Sequence, residues 1–117
     1  MPISFDLVTF DAPDPDRLAR FWCAALGLVE VEREDAGRWL VLAAADGRRV
    51  LGLQRGAMRP GSVHLDLTCS VAEFDAELVR LQAFGGALVG QARQESYGSI
   101  ANLADPDGNL FDLCAYG

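Results

Sequence analysis

Two stretches with the same layout decide how this chain folds: GRWLVLAAADG at residues 37–47 and GSIANLADPDG at residues 98–108. In each stretch a glycine opens an apolar run of strand character. A second glycine, ten positions later, follows an aspartate in a turn. The second copy begins 61 residues after the first. The sequence therefore predicts two modules of similar structure.

A helix is predicted in front of each copy. The first, DPDRLARFWCAALG, has Asp14 as its N-cap, repeats apolar residues on one face and ends at Gly27. The second, SVAEFDAELVRLQAFG, opens with Ser70 and Glu73 in capping-box spacing and ends at Gly85. Each module thus contributes one amphipathic helix.

One strand is predicted before each helix and three after it. The predicted strands are 3–11, 28–33, 38–44 and 49–55 in the first half, and 62–69, 87–92, 98–103 and 109–115 in the second. We therefore expect a single α+β domain of two βαβββ modules, about residues 1–57 and 60–117, joined by a Gly- and Pro-containing linker.

Composition narrows the class of protein. The 117 residues suffice for one domain, and the net charge of −7 argues against a nucleic-acid partner. No apolar run is long enough to cross a membrane, and no leader follows Met1, so we expect a soluble protein without a membrane partner. The three cysteines form no CxxC pair, which is typical of reduced thiols in the cytoplasm.

The two modules resemble the vicinal oxygen chelate superfamily, which includes glyoxalase I, extradiol dioxygenases, fosfomycin resistance enzymes and bleomycin resistance proteins. The stretches that carry the resemblance, most of all to the short glyoxalase-like branch, are DAPDPDRLARFWCAALGL, GLQR, VHLDL and ADPDGNLFDL. They are spread over residues 11–113, in the family's order and spacing. The resemblance implies that the modules form an open barrel-like cleft for a small-molecule ligand, often completed by a second subunit. We therefore expect a homodimer.

The resemblance also implies metal ligands on the first and last strands of each module. His64 and Asp112 match these positions in the second module. In the first module the positions fall at Leu7 and at Leu51 or Gly52, none of which can bind a metal. A divalent ion, such as Zn, Ni, Mn or Fe, would therefore find an incomplete set, and the cofactor stays unknown.

The residues themselves raise a separate question at Asp112. A carboxylate inside the apolar run NLFDL needs a partner, and His64, the single histidine, is the best candidate. Three interpretations stay open: a structural His–Asp hydrogen bond, a metal held by both side chains, and a catalytic pair in which Asp112 orients His64 as general base. Alternation places Asp66 on the same strand face as His64.

Further candidates for ligand binding come from the same reasoning about strands and hairpins. They are Thr9, Asp11, Trp39, Asp66, Tyr97 and Asn102. Trp39 and Tyr97 open hairpins and could stack on a flat ligand, whereas Trp39 could equally belong to the core. Asp11 is also interpreted as a strand-end acid in a turn, and this interpretation is the favoured one. Cys69 and Cys114 are interpreted as core residues rather than nucleophiles.

Two functions follow from these observations. The first is a protein of the bleomycin-resistance kind, which binds a small organic molecule in the cleft between its modules without catalysis and without a complete metal site. The second is a metal-dependent lyase, isomerase or dioxygenase that uses His64 and Asp112, with the metal as a Lewis acid. The apolar Leu7 argues against the second.

Overall fold

The computed structural model describes residues 5–58, 64–96 and 98–116. The chain folds into two compact units, Met1–Arg59 and Pro60–Gly117. The first unit contains β1 (Val8–Ala12), α1 (Pro15–Leu26), β2 (Val29–Glu34), β3 (Trp39–Ala43) and β4 (Arg49–Arg55). The second contains β5 (Leu65–Cys69), α2 (Phe74–Ala83), β6 (Ala87–Leu88), β7 (Arg93–Glu95), β8 (Gly98–Ala104) and β9 (Leu110–Tyr116). The predicted α+β class is confirmed.

Helix α1 begins and ends where the sequence predicts. The Asp14 side chain accepts a hydrogen bond from the Arg17 backbone N–H at 3.3 Å, which satisfies one of the free amides of the first turn. Gly27 closes the helix in the left-handed conformation, with φ of 66°. The apolar stripe of α1 is buried, and Trp22 within it is completely inaccessible to solvent.

The first sheet has the strand order β1-β4-β3-β2, with β1 parallel to β4 and the other pairs antiparallel. Alternation gives it two faces. One face packs on α1, where the Phe10 ring lies 6.2 Å from the ring of Trp22, centroid to centroid. Its buried apolar residues are Phe10, Ala12, Leu40, Leu42, Leu51 and Leu53.

The second sheet has the order β5-β9-β8-β6, and the short β7 also pairs with β8. The prediction of one strand over 87–92 is wrong, because the chain pairs with β8 in two separate pieces, Ala87–Leu88 and Arg93–Glu95. Gly90, between them, has a φ of 81°. This left-handed residue turns the backbone out of the ladder after Leu88.

Helix α2 begins later than the capping box predicts. One bond of the box forms: the Ser70 hydroxyl accepts from the Glu73 backbone N–H at 3.2 Å. The Glu73 carboxylate accepts from the Ser70 hydroxyl at 2.7 Å, rather than from the Ser70 backbone as in a full capping box. Ser70 caps a single 3-10 turn, Val71–Glu73, and the α-helix starts only at Phe74. Neither helix in the described part of the chain is long and apolar enough to span a bilayer.

The glycine that opens β8 is required by the close approach of β9. Gly98 has a φ of 141°, and a Cβ at this position would overlap the carbonyl oxygen of Ala115. Gly47, in the hairpin between β3 and β4, also has a positive φ, 90°, but a Cβ there would meet no atom within 4 Å. A side chain at Gly47 would therefore cause backbone strain alone, whereas a side chain at Gly98 would cause both strain and steric overlap.

We expect Gly47→Ala to lower the free energy of unfolding by about 1–2 kcal/mol, the cost of a left-handed conformation with a Cβ. Gly98→Ala should lower it by about 3 kcal/mol or more, because the overlap with Ala115 adds to that cost. Urea unfolding followed by circular dichroism measures both. Equal losses in the two variants would contradict the assigned contact between β8 and β9.

Candidate functional site

Three polar residues stand side by side on the second sheet. Asn102 of β8 and Asp66 of β5 are both register partners of Asp112 on β9, so the three form one row across the sheet. The row lies on the face opposite the buried Phe111 and Leu113. We call this the histidine face, because the His64 side chain reaches the same row.

The hydrogen-bond partner of Asp112 is Asn102. The Asn102 Nδ2 donates to Asp112 Oδ1 at 2.6 Å, and the Arg93 guanidinium in turn donates to Asn102 Oδ1 at 2.9 Å. His64 lies near Asp112 as expected, but its Nε2 is 3.7 Å from Oδ2, which exceeds a hydrogen bond. The chain from Arg93 therefore fixes one carboxylate oxygen of Asp112 and turns the other towards His64.

His64, Asp66 and Asp112 form a group with the chemistry of a metal site. The Nε2 of His64 lies 3.3 Å from Asp66 Oδ1, and one ligand atom from each of the three residues lies within 4.8 Å of the others. Imidazole and carboxylate are ligands that divalent Mn, Fe, Ni and Zn accept in proteins. The group therefore offers three ligands to a divalent ion, one more than the pair of His64 and Asp112 inferred from the sequence.

Asp66 is the member of this group that the metal prediction left out. The signal was present, because His64 and Asp66 are two residues apart on one strand and so share a face. His64 and Asp112 line a cavity of about 310 Å³, whereas Asp66 is not part of its wall. The walls of that cavity are His64, Val89, Asn102, Leu103, Leu110 and Asp112. Asn102 lines this cavity, with its amide committed to Asp112.

The matching row on the first sheet has no metal-binding side chain. Gly52 of β4 pairs with Thr9 of β1 and Val41 of β3, as Asp112 pairs with Asp66 and Asn102. The register therefore assigns Gly52, rather than Leu51, to the position of Asp112. The row belongs to the sheet face away from α1, which we call the tryptophan face; its residues are Thr9, Asp11, Glu32, Glu34, Trp39, Val41, Gly52 and Gln54.

The Trp39 indole lies over Gly52. A Cβ at position 52 would overlap Cη2 of the ring, so only glycine leaves room for it. The ring is half-buried, and its Nε1 donates to Glu32 Oε2 at 2.7 Å. Trp39 also lines an open cavity of about 400 Å³, together with Glu34, Asp35, Arg38 and Gln54. On the first sheet the aromatic ring thus fills the space above Gly52. The equivalent space on the second sheet holds the Asp112 side chain.

The remaining sequence candidates differ in their positions. Thr9 and Asp11 are exposed on the tryptophan face. Asp11 lies within β1 and is therefore not part of a turn. Tyr97 lies outside the described residues.

Burial raises the pKa of the Cys69 thiol, and the nearby charge of Glu77 adds to this. A raised pKa keeps the thiol protonated, which agrees with a packing role.

A family model described as a glyoxalase-like domain matches residues 7–114 of the chain. The chain belongs to this family. The match spans both units, and the solved structures with the same fold include members of the glyoxalase, bleomycin resistance and dioxygenase group. Among curated proteins, none matches.

Three solved structures illustrate the similarity of this glyoxalase-like protein to others. The antibiotic binding protein TnmS3 from Streptomyces sp. CB03234 is 29% identical, with a TM-score of 0.72, over 100% of this chain and 99% of that one. A glyoxalase-related enzyme from Fulvimarina pelagi is 23% identical, with a TM-score of 0.76, over 96% and 87%. A mutant of the fosfomycin resistance protein FosX from Listeria monocytogenes, complexed with Mn(II) and 1S,2S-dihydroxypropylphosphonic acid, is 18% identical, with a TM-score of 0.79, over 100% and 93%.

The bond between Asn102 and Asp112 can be tested in the glyoxalase-like protein without any ligand. We expect Asn102→Leu to lower the free energy of unfolding by about 1–3 kcal/mol, because it leaves the mostly buried Asp112 carboxylate without its donor. The double variant Asn102→Leu, Asp112→Leu should recover most of that loss, since no unpaired polar group remains. Urea unfolding of the three proteins gives the comparison, and a double variant less stable than Asn102→Leu would contradict the assigned bond.

Proposed function

We propose that this protein binds a small, flat organic molecule, which stacks on Trp39 of the tryptophan face. The observation that carries the proposal is the position of the indole over Gly52, at the place where the second sheet carries Asp112. The first unit thus has an aromatic surface beside an open cavity at the position where the second unit has a carboxylate. Ligand pockets commonly combine such a ring with a few polar groups.

The similarity to TnmS3 supports this proposal. The two chains are 29% identical, and the alignment covers 100% of this chain and 99% of TnmS3. That protein binds an antibiotic, and an aromatic antibiotic is the class of ligand we propose here. The predicted cleft, the homodimer and the cytoplasmic location stay predictions.

A panel of flat aromatic antibiotics, screened by thermal shift, tests the proposal. We expect at least one compound to raise the melting temperature and to quench tryptophan fluorescence, because Trp39 is accessible whereas Trp22 is buried. In Trp39→Leu the affinity for that compound should fall about threefold to tenfold, which corresponds to the loss of one aromatic contact.

The control for this experiment is Phe84→Leu, which removes an exposed aromatic ring of the second unit. This variant should bind like the wild type. Melting of both variants without ligand shows whether they fold. A panel without a single binder, or a binder whose affinity is unchanged in Trp39→Leu, would refute the proposal.

The His64–Asp66–Asp112 group favours a second candidate function, a metal-dependent lyase, isomerase or dioxygenase. A divalent ion bound there would supply Lewis-acid chemistry to substrate oxygens. His64 and Asp66 are exposed, with half or more of each side chain open to solvent, and are therefore stable without an ion. For this reason we place the enzyme second.

Calorimetric titration with Mn²⁺, Zn²⁺, Ni²⁺ and Fe²⁺ decides this second candidate. If it is correct, one ion binds per chain, His64→Ala abolishes binding, and Asp66→Asn weakens it at least about tenfold, as expected for the loss of a ligand. Asp75→Asn, an exposed acid at the start of α2, is the matched control and should bind like the wild type. Equal affinity in His64→Ala and the wild type would exclude the site.

A further inference from the structure

Resting on the proposed function, we propose that Glu32 is a positioning residue that fixes the Trp39 ring and makes it a binding surface for a flat organic cation. Glu32 lies on β2, the edge strand beside β3, and its carboxylate contacts the indole from the side. This assigns a charge class to the ligand. It also assigns a role to a side chain that does not itself line the cavity.

The indole is held by a chain of charged contacts. Glu32 Oε2 accepts from Trp39 Nε1 at 2.7 Å, and Glu32 Oε1 accepts from Arg49 Nη1 at 3.2 Å. Arg49 Nε in turn donates to Asp6 Oδ1 at 2.8 Å. Both oxygens of Glu32 are thereby occupied, so the carboxylate cannot turn away from the indole without losing the contact with Arg49. The opposite constraint comes from Gly52, against which the six-membered ring lies.

The hydrogen bond to Glu32 also sets the electrostatics of the ring. A carboxylate that accepts from the indole N–H pushes electron density into the ring, and the ring face is the part of an aromatic side chain that attracts cations. Because Arg49 holds Glu32 at the ring edge, the face of the indole towards the cavity stays free of that arginine. The arrangement therefore favours a cation over a neutral ring of the same shape.

The other charges near the cavity act in the same direction. Asp35 and Arg38 pair with each other at 3.4 Å and so largely cancel. Within the described residues, Glu34 at the cavity and Asp11 on the same face make no ion pair. An organic cation stacked on Trp39 would therefore lie in the cavity that Glu34 lines, on a sheet face that also carries Asp11.

Two probes of matched shape and different charge test the inference. They are 1-methylquinolinium, a flat cation, and quinoline at slightly alkaline pH, where it is neutral. Quenching of tryptophan fluorescence gives both affinities. We expect the wild type to bind the cation about fivefold to tenfold more tightly than the neutral probe. Added salt should reduce this ratio, because salt screens exposed charges.

Substitutions at Glu32 separate positioning from general stability. Glu32→Gln keeps an acceptor for the indole N–H but removes the charge, so the ratio of the two affinities should fall about threefold while the neutral probe binds nearly as before. Glu32→Leu removes the acceptor as well and should weaken both probes. Glu30→Gln is the matched control: Glu30 lies on the same strand but on the α1 face, paired with Arg33. It should leave both affinities unchanged.

Equal binding of the two probes by the wild type would overturn the inference, as would equal changes of the ratio in Glu32→Gln and Glu30→Gln. Binding of neither probe would also overturn it, and the proposed function would then still be judged by the antibiotic panel and Trp39→Leu. A preference for the cation that disappears in Glu32→Gln, with no binder in the panel, would keep the inference for simple cations and refute the antibiotic ligand class.

Discussion

The parallel pairing of the first strand with the last strand is the constraint on which each unit depends. In the first unit β1 lies beside β4, and in the second β5 lies beside β9. In both sheets the last strand also pairs, in antiparallel fashion, with the strand before it. A residue of the last strand therefore lies between one residue of the first strand and one of the preceding strand. The side chain at this central position determines the chemistry of the row.

The two units place opposite chemistry at this central position. Asp112 brings a charge into the second sheet, and that charge requires Asn102 as donor because most of the carboxylate is buried. Gly52 brings no side chain into the first sheet, and the vacated volume is filled by Trp39 from the neighbouring strand. One fold thus supports a polar row and an aromatic surface, and the difference follows from one residue in each last strand.

The sequence predicted those parts of the structure that depend on neighbours along the chain. The cap at Asp14 and the glycine that ends α1 are local signals, and both were confirmed. Asp112 and His64 were recognised by residue type, but the donor Asn102 was not assigned to Asp112, because that bond depends on the register of β8 and β9. The sequence analysis missed the division at Gly90 of the strand predicted over 87–92, because a glycine within a strand does not by itself indicate a turn.

The Asp112 carboxylate and the Trp39 indole are held in place by the same arrangement of contacts. On the second sheet Arg93 binds the Asn102 amide, which binds Asp112; on the first, Arg49 binds Glu32, which binds the indole of Trp39. In each case an arginine acts through one intermediate group, so the side chain it positions loses rotational freedom without direct contact with that arginine. A direct contact would have neutralised Asp112 or repelled a cation from the ring. The intermediate group therefore supplies orientation and keeps the arginine away from the side chain that it positions.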